Sequence, residues 1–333
     1  MRKWFKGLGL AAIILAFVAG AIISAQNDSG MASQVGSSGD LPTLTFYTAP
    51  MATTPQIPFW AGVKSREIPK LFNLKVEYWK DVDDLQGVLL AGKGDLWLGH
   101  VEGFARARKR GSPVTLLAVT GWRKHYIVTT NPDLHRIEDF VGRTLPFTPM
   151  GSPAVSVMKA LLGKDSEKIE FQPQEARQLS MLLIRGTVDS ALAPEPLVTL
   201  MLEKVPNLRV VVSLEEEYGK RTGHLPRMPI AGIAVNSDTA ARYPEKIKAL
   251  LGILREEGVR LAAHPGLAPE VLPDSFTNFI PRAMVRASLE RDMILVEPAS
   301  NVELEIVDYF KIVAPELVTA EGRMNLDSSF IMK

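Results

Sequence analysis

The chain has no cysteine. Disulfides, thiolate metal sites and thiol nucleophiles are excluded together. Histidine is scarce: the five are His100, His125, His135, His224 and His264. None shows a metal-ligand spacing such as HExxH, so no metal site is expected. A charge excess is missing too, with 38 basic and 37 acidic residues giving a net charge of +1. That balance argues against broad nucleic-acid binding, which needs a basic surplus. There is no GxSxG, no Walker loop and no GxGxxG after a strand. Gly92-x-Gly94 stands before a strand, the wrong side for a dinucleotide fingerprint. No catalytic residue and no cofactor is expected.

What is present is an ordinary globular composition, 46% apolar and 23% charged over 333 residues. Length alone suggests about two domains. Arg2, Lys3 and Lys6 precede an apolar run over residues 8–23, and Ser24-Ala25 supplies small residues after it. This is the layout of a signal peptide. An uncleaved N-terminal anchor is the alternative. Either way the body is expected to be periplasmic or extracytoplasmic. Residues 26–40 are rich in Ser, Gly, Asn and Asp and read as a flexible linker. Folded structure is expected from Leu41.

The folded part says one thing twice. Leu89-Leu90-Ala91-Gly92-Lys93-Gly94-Asp95-Leu96-Trp97 is echoed, 94 positions later, by Leu183-Ile184-Arg185-Gly186-Thr187-Val188-Asp189-Ser190-Ala191. Both copies read as helix, glycine turn, buried strand, loop, helix and strand. Two copies make a duplicated lobe and not a solenoid. Strands alternating with helices imply an α/β fold with mostly parallel sheets. Segments near residues 121–128 and 230–235 read as two crossovers between the lobes. Residues 41–125 then form one lobe, 126–228 the second, and 229–333, mostly helical, return to the first.

In open α/β sheets ligands bind beyond the carboxyl ends of the strands. That rule selects four loops. The first holds Thr48, Ala49, Pro50 and Met51, and the second His100 and Glu102. Thr148, Met150, Gly151 and Ser152 form the third, and Pro194 and Glu195 the fourth. The third loop ends at a helix start, where free N–H groups and the dipole favour an anion. Its plainer reading is an N-cap with Pro just inside the helix. Glu195 could hold a ligand amine or simply cap the next helix. Trp122 and His125, at the crossover, could stack on a ligand ring or pack the hinge. Glu215-Glu216-Glu217 reads as a solvated stretch, and the basic run from Arg106 to Arg110 as an exposed helix end.

These residues resemble the periplasmic substrate-binding proteins of ABC importers, in the group serving sulfonates, taurine, nitrate and thiamine precursors. The resemblance rests on Leu90-Ala91-Gly92-Lys93-Gly94-Asp95, Gly111-Ser112-Pro113-Val114 and Ile137-Glu138-Asp139-Phe140-Val141-Gly142-Arg143. It continues through Gly186-Thr187-Val188-Asp189 with Glu195-Pro196, then Tyr243-Pro244-Glu245-Lys246, and ends at Asn325-Leu326-Asp327-Ser328-Ser329-Phe330. It implies a two-lobed type II binding-protein fold with two crossover strands, closing on a small-molecule ligand. The partner would be an ABC permease in the membrane, with no nucleic acid and a monomeric state. Oxyanion ligands usually gain from Arg or Lys, and the four loops contain none. Arg123, Lys124 and Arg227 are the nearest by sequence. A neutral or aromatic ligand fits the Met, Trp and Tyr content as well. A membrane-anchored sensor and a precursor-processing enzyme are the alternatives on this fold.

Overall fold

The computed structural model describes residues 33–35 and 39–333. The signal-peptide segment and most of the expected linker lie outside the described residues. The described residues from Gln34 onward form one compact unit.

Elements alternate along the chain. β1 (Ser33–Val35) and β2 (Thr43–Thr48) lead to α1 (Ile57–Lys64). β3 (Asn73–Tyr78), α2 (Val82–Leu90), β4 (Leu96–His100), α3 (Val101–Lys109) and β5 (Val114–Gly121) follow. The middle of the chain holds β6 (His125–Thr129), β7 (Thr144–Phe147), α4 (Pro153–Leu162), β8 (Glu170–Pro173) and α5 (Ala176–Ile184). Then come β9 (Ser190–Pro194), α6 (Leu197–Lys204), β10 (Arg209–Ser213) and α7 (Leu214–Thr222). The last part is β11 (Ala231–Asn236), α8 (Ser237–Arg242), α9 (Pro244–Ala263), α10 (Ala268–Val271), α11 (Arg282–Ser288), β12 (Glu297–Pro298) and α12 (Glu303–Val313).

The strands make two sheets. One runs β1-β3-β2-β4-β11-β5-β12, the other β10-β6-β9-β7-β8. Dropping the outermost strands of the first leaves β3-β2-β4-β11-β5, which matches β8-β7-β9-β6-β10 position for position. β4 and β9 are the echoed strands, and they start 94 residues apart, at Leu96 and Ser190. The duplication in the sequence is therefore a duplication of the fold.

The sheets are less parallel than the alternation suggests. β2 pairs parallel with β3 and β4, and β7 with β8 and β9. The strand that enters each lobe from the other runs antiparallel: β11 against β4 and β5, and β6 against β9 and β10. A chain arriving from the opposite lobe comes in at the ligand end, so it must run against the strands that leave there.

Local sequence explains the element ends. α2 starts where Asp81 accepts the Asp84 N–H at 2.8 Å, and Asp83 and Asp84 suit the dipole. It stops at Gly92 and Gly94, both at positive φ, a conformation that glycine adopts without cost. β4 and β5 are almost wholly apolar and buried, as strands covered on both faces should be. Two apolar clusters hold the body together, and each draws on both sheets. Phe46 and Leu96 share one with Tyr126 and Ala191, while Trp97 and Val101 share the other with Ile127 and Leu192.

The expected solvated glutamates and free basic helix end are different in the fold. Glu215 is fully buried. Arg108 holds Asp327 through two bonds of 2.8 and 2.7 Å, and Arg106 holds Glu316 at 2.9 Å. The end of α3 thus ties down the C-terminal segment.

Candidate functional site

A cavity of about 170 Å³ lies between the sheets, walled by loops from both. An apolar cavity of roughly 150 Å³ holds a benzene ring, so the space suits a small organic molecule. The walls come from the carboxyl ends of β2, β3 and β4 on one side and of β7, β8 and β9 on the other. Ala49, Pro50 and Met51 follow β2, and Thr148, Pro149 and Met150 follow the matching β7.

The first wall is braced from behind. The buried Gln56 side chain accepts from Thr48 Oγ1 at 2.9 Å and from Trp60 Nε1 at 3.0 Å. Its amide nitrogen donates to the Met51 carbonyl at 2.6 Å and to Thr53 Oγ1 at 3.2 Å. One amide therefore fixes the whole β2 loop, and every polar atom it buries is satisfied.

At the cavity floor the two sheets end in matching rungs. His100 of β4 faces Ala231 of β11, and Pro194 of β9 faces His125 of β6. All four residues line the cavity. Each lobe thus brings one histidine to the floor, from different strands of the matched set. Burial, with Lys124 and His125 close by, pushes the His100 pKa down to about 3. The His125 pKa is lowered by burial against the opposing pull of Glu215. Both rings are held neutral at neutral pH.

Lys124 lies beside them, 9% exposed and on the cavity wall. Burial lowers its pKa, and Asp292, Glu215 and Glu195 oppose that shift. Glu215 Oε1 accepts the backbone N–H of Lys124 at 3.1 Å and of His125 at 3.0 Å. Glu195 spends Oε1 on Arg291 Nε at 2.6 Å, and Oε2 on the Thr199 N–H and hydroxyl at 3.0 and 2.9 Å. Arg291 also donates to Thr199 Oγ1 at 2.7 Å, and its carbonyl accepts from Tyr126 Oη at 2.5 Å. Asp292 accepts from Thr54 Oγ1 at 2.5 Å and from the Met293 N–H at 2.8 Å. Burial raises its pKa to about 7.

The structure brings together Ala49, Pro50, Met51, His100, His125, Thr148, Met150, Pro194 and Glu195 from the sequence expectation. Five others stand back from the wall. Thr48 is turned to Gln56. Glu102 is buried beneath the floor, where its Oε2 accepts from Tyr309 Oη at 3.3 Å and burial raises its pKa to about 7. Trp122 is fully buried, and its indole N–H donates to the Leu295 carbonyl at 3.1 Å under the Arg227 guanidinium. It packs the hinge and offers no face to a ligand. Ser152 is the N-cap of α4, accepting the Ala154 N–H at 3.3 Å. Gly151, at φ +74°, abuts Val82 of the facing lobe, which a Cβ would meet at 3.4 Å.

Several lining residues fall outside that expectation: Trp79, Lys124, Gln174 and Ile280 among them. The same sheet rule, applied to β3 and β8 as well, points to Trp79 and Gln174. Lys124 precedes β6 and Ile280 lies in the C-terminal helical part, so no strand-end rule reaches them.

A family model described as NMT1/THI5 like matches residues 72–268. No curated protein matches the chain. Among solved structures, an ABC transporter from Parabacteroides distasonis is 15% identical, covering 88% of this chain and 99% of that one, with a TM-score of 0.64. The periplasmic aliphatic sulphonate binding protein SsuA from Escherichia coli is 12% identical over 89% and 95% of the two chains, at a TM-score of 0.63. The periplasmic nitrate-binding protein NrtA from Synechocystis PCC 6803 is 12% identical over 74% and 69%, at 0.55. What these share with the chain is the two-lobed fold.

Proposed function

The chain belongs to the NMT1/THI5-like family, and from that premise we propose that it is an exported solute-binding protein. It takes one small organic molecule into the cleft between its lobes and hands it to an ABC importer. The observation that carries this reading is the cavity itself. Its walls come from matched strand ends of two like lobes, and the chain crosses between them beside its floor. A ligand that touches both walls favours the closed arrangement over an open one by its differential contacts. Sulfonate, nitrate and thiamine-precursor-like molecules are the first candidates, because the fold relatives include sulphonate-binding and nitrate-binding proteins. The site residues act by binding, and no catalytic step is assigned to them.

The signal-peptide layout of the N-terminus supports an extracytoplasmic location, and the protein acts as a monomer in this reading. The test is native mass spectrometry of the purified protein for a co-purified molecule, with a thermal-shift panel beside it. A ligand at one hundred times its Kd stabilises the fold by about 2.7 kcal/mol. A purified protein that carries no small molecule, and whose melting temperature no panel member raises, overturns the proposal.

A further inference from the structure

One buried cation on the cavity wall has no hydrogen-bond acceptor among the described residues. Lys124 is 9% exposed and lines the cavity. Its ammonium carries three donors, and none of them finds an acceptor among the described residues. The carboxylates around it are committed elsewhere: Glu215 to two backbone N–H groups, Glu195 to Arg291 and Thr199, Asp292 to Thr54 and Met293. The neighbouring Arg123 is paired with Glu216 at 2.5 Å. The other two groups beside it are bases, His100 and His125. The His125 Nδ1 atom is likewise buried without a hydrogen bond, 3.5 Å from Glu215 Oε1.

Resting on the cleft being a ligand site, we infer that the ligand is a small organic anion and that Lys124 is its charge partner. An acidic head group on the ligand supplies the acceptors that Lys124 lacks. The rest of the ligand meets Met51, Trp79, Leu98 and Phe104, an apolar wall.

Four of the helix starts around the cavity do not compete for that role, and α5, which opens on it at Ala176 without a side-chain cap, offers only neutral N–H donors. The Ala154 N–H of α4 is taken by its own Ser152 cap, and Pro153 has none. The Thr199 N–H of α6 is taken by Glu195. α2 begins with Asp81, Asp83 and Asp84, and α3 has Glu102 in its first turn. The sequence pointed to the start of α4 as an anion site. The fold spends those donors internally and leaves an open cationic donor at the crossover.

The test is calorimetric titration of the purified protein with matched acid and amide pairs: benzoate with benzamide and butyrate with butyramide, plus ethanesulfonate as a second acid. The expected result is that the acids bind at least tenfold tighter than their amides. Lys124→Gln should lose at least tenfold for the acids and much less for the amides. A Lys124→Gln protein with wild-type acid affinity overturns the inference, and so do amides that bind as tightly as acids. If the variant does not fold, the acid–amide comparison on the unaltered protein decides alone. If no probe binds, the co-purified molecule decides: an acid upholds the inference, and a neutral or cationic molecule overturns it. A protein with no ligand of any kind fails the cleft reading itself, a separate outcome.

Discussion

The two lobes share a strand order and differ in what stands behind the last rung of the ladder. In the first lobe the entering strand, β11, arrives with Ile230 and Ala231, and the Ile230 carbonyl accepts the Val101 N–H at 3.0 Å. That joint is apolar side chains on paired backbone. In the second lobe the entering strand, β6, arrives with Lys124 and His125, whose N–H groups end on the buried carboxylate of Glu215. The Lys124 carbonyl accepts the Glu195 N–H at 2.8 Å, and Glu195 reaches Arg291. The same topology is held by packing in one lobe and by a charged network in the other. The buried lysine on the cavity wall stands at the start of the second lobe's entering strand.

Removing the charged frame should hurt most. Glu215→Ala leaves two buried N–H groups unmet, so a loss of about 3 kcal/mol is expected. Urea unfolding of the variant measures it. The matching change in the first lobe, Ile230→Val, should cost only about 1 kcal/mol. Equal costs would erase the distinction between the lobes.

Arg291→Met comes next. It strands Glu195, which is 1% exposed, with only the Thr199 donors. A loss of about 2–3 kcal/mol is expected, reduced from the fully buried case because the Arg291 side chain is 27% exposed. The Tyr126 hydroxyl and the Arg291 carbonyl should be unaffected, so a larger loss would mean that the backbone of this segment had moved.

Legibility in the sequence follows the same division. The lobes, their order and most cleft loops were readable because they depend on period, glycine turns and an echo at constant spacing. Gly92 and Gly186 both take positive φ at the turn before their strands, and the pair is structural. The charged frame was not readable. Glu215-Glu216-Glu217 looks like surface, since three acids in a row seldom signal burial. Which of them turns inward is fixed by the donors of residues 124 and 125, some ninety positions earlier. Trp122 failed for a related reason. An aromatic residue at a crossover serves a ligand or a hinge equally well until the Leu295 carbonyl and Arg227 are placed around it.

The acidity of the site sharpens the comparison further. Asp292 has its pKa raised to about 7 by burial, from an ordinary value near 3.8. The folded state therefore binds this proton more tightly than the unfolded chain does. Its contribution is full below about pH 3.8 and is lost as pH rises through 7. His100 runs the other way: lowered to about 3, it costs stability as pH falls below 6.5. Between pH 6.5 and 8.5 the acid governs, joined by Glu102 at about 7. The melting temperature should fall across that range by a few degrees, as roughly 1 kcal/mol would produce. Asp292→Asn should flatten the fall, and a variant with an unchanged slope would remove Asp292 from the account.

The last effect is expected where the lobes touch. Gly151→Ala forces a side chain onto a left-handed residue and against Val82. The backbone alone costs about 1–2 kcal/mol. Calorimetry of the variant with its ligand should show weaker binding beyond that stability loss, because the contact lies between the walls. Unchanged affinity would place the closure elsewhere.

The central claim is that one small molecule sits between the two walls. Native mass spectrometry of the purified protein, beside Ala176→Trp, tests it most directly. Ala176 opens α5 at the cavity and is only partly buried, so a larger ring there takes up cavity space. The account predicts one bound small molecule per chain in the unaltered protein and none in the variant. The same molecule retained at the same occupancy by Ala176→Trp would contradict it.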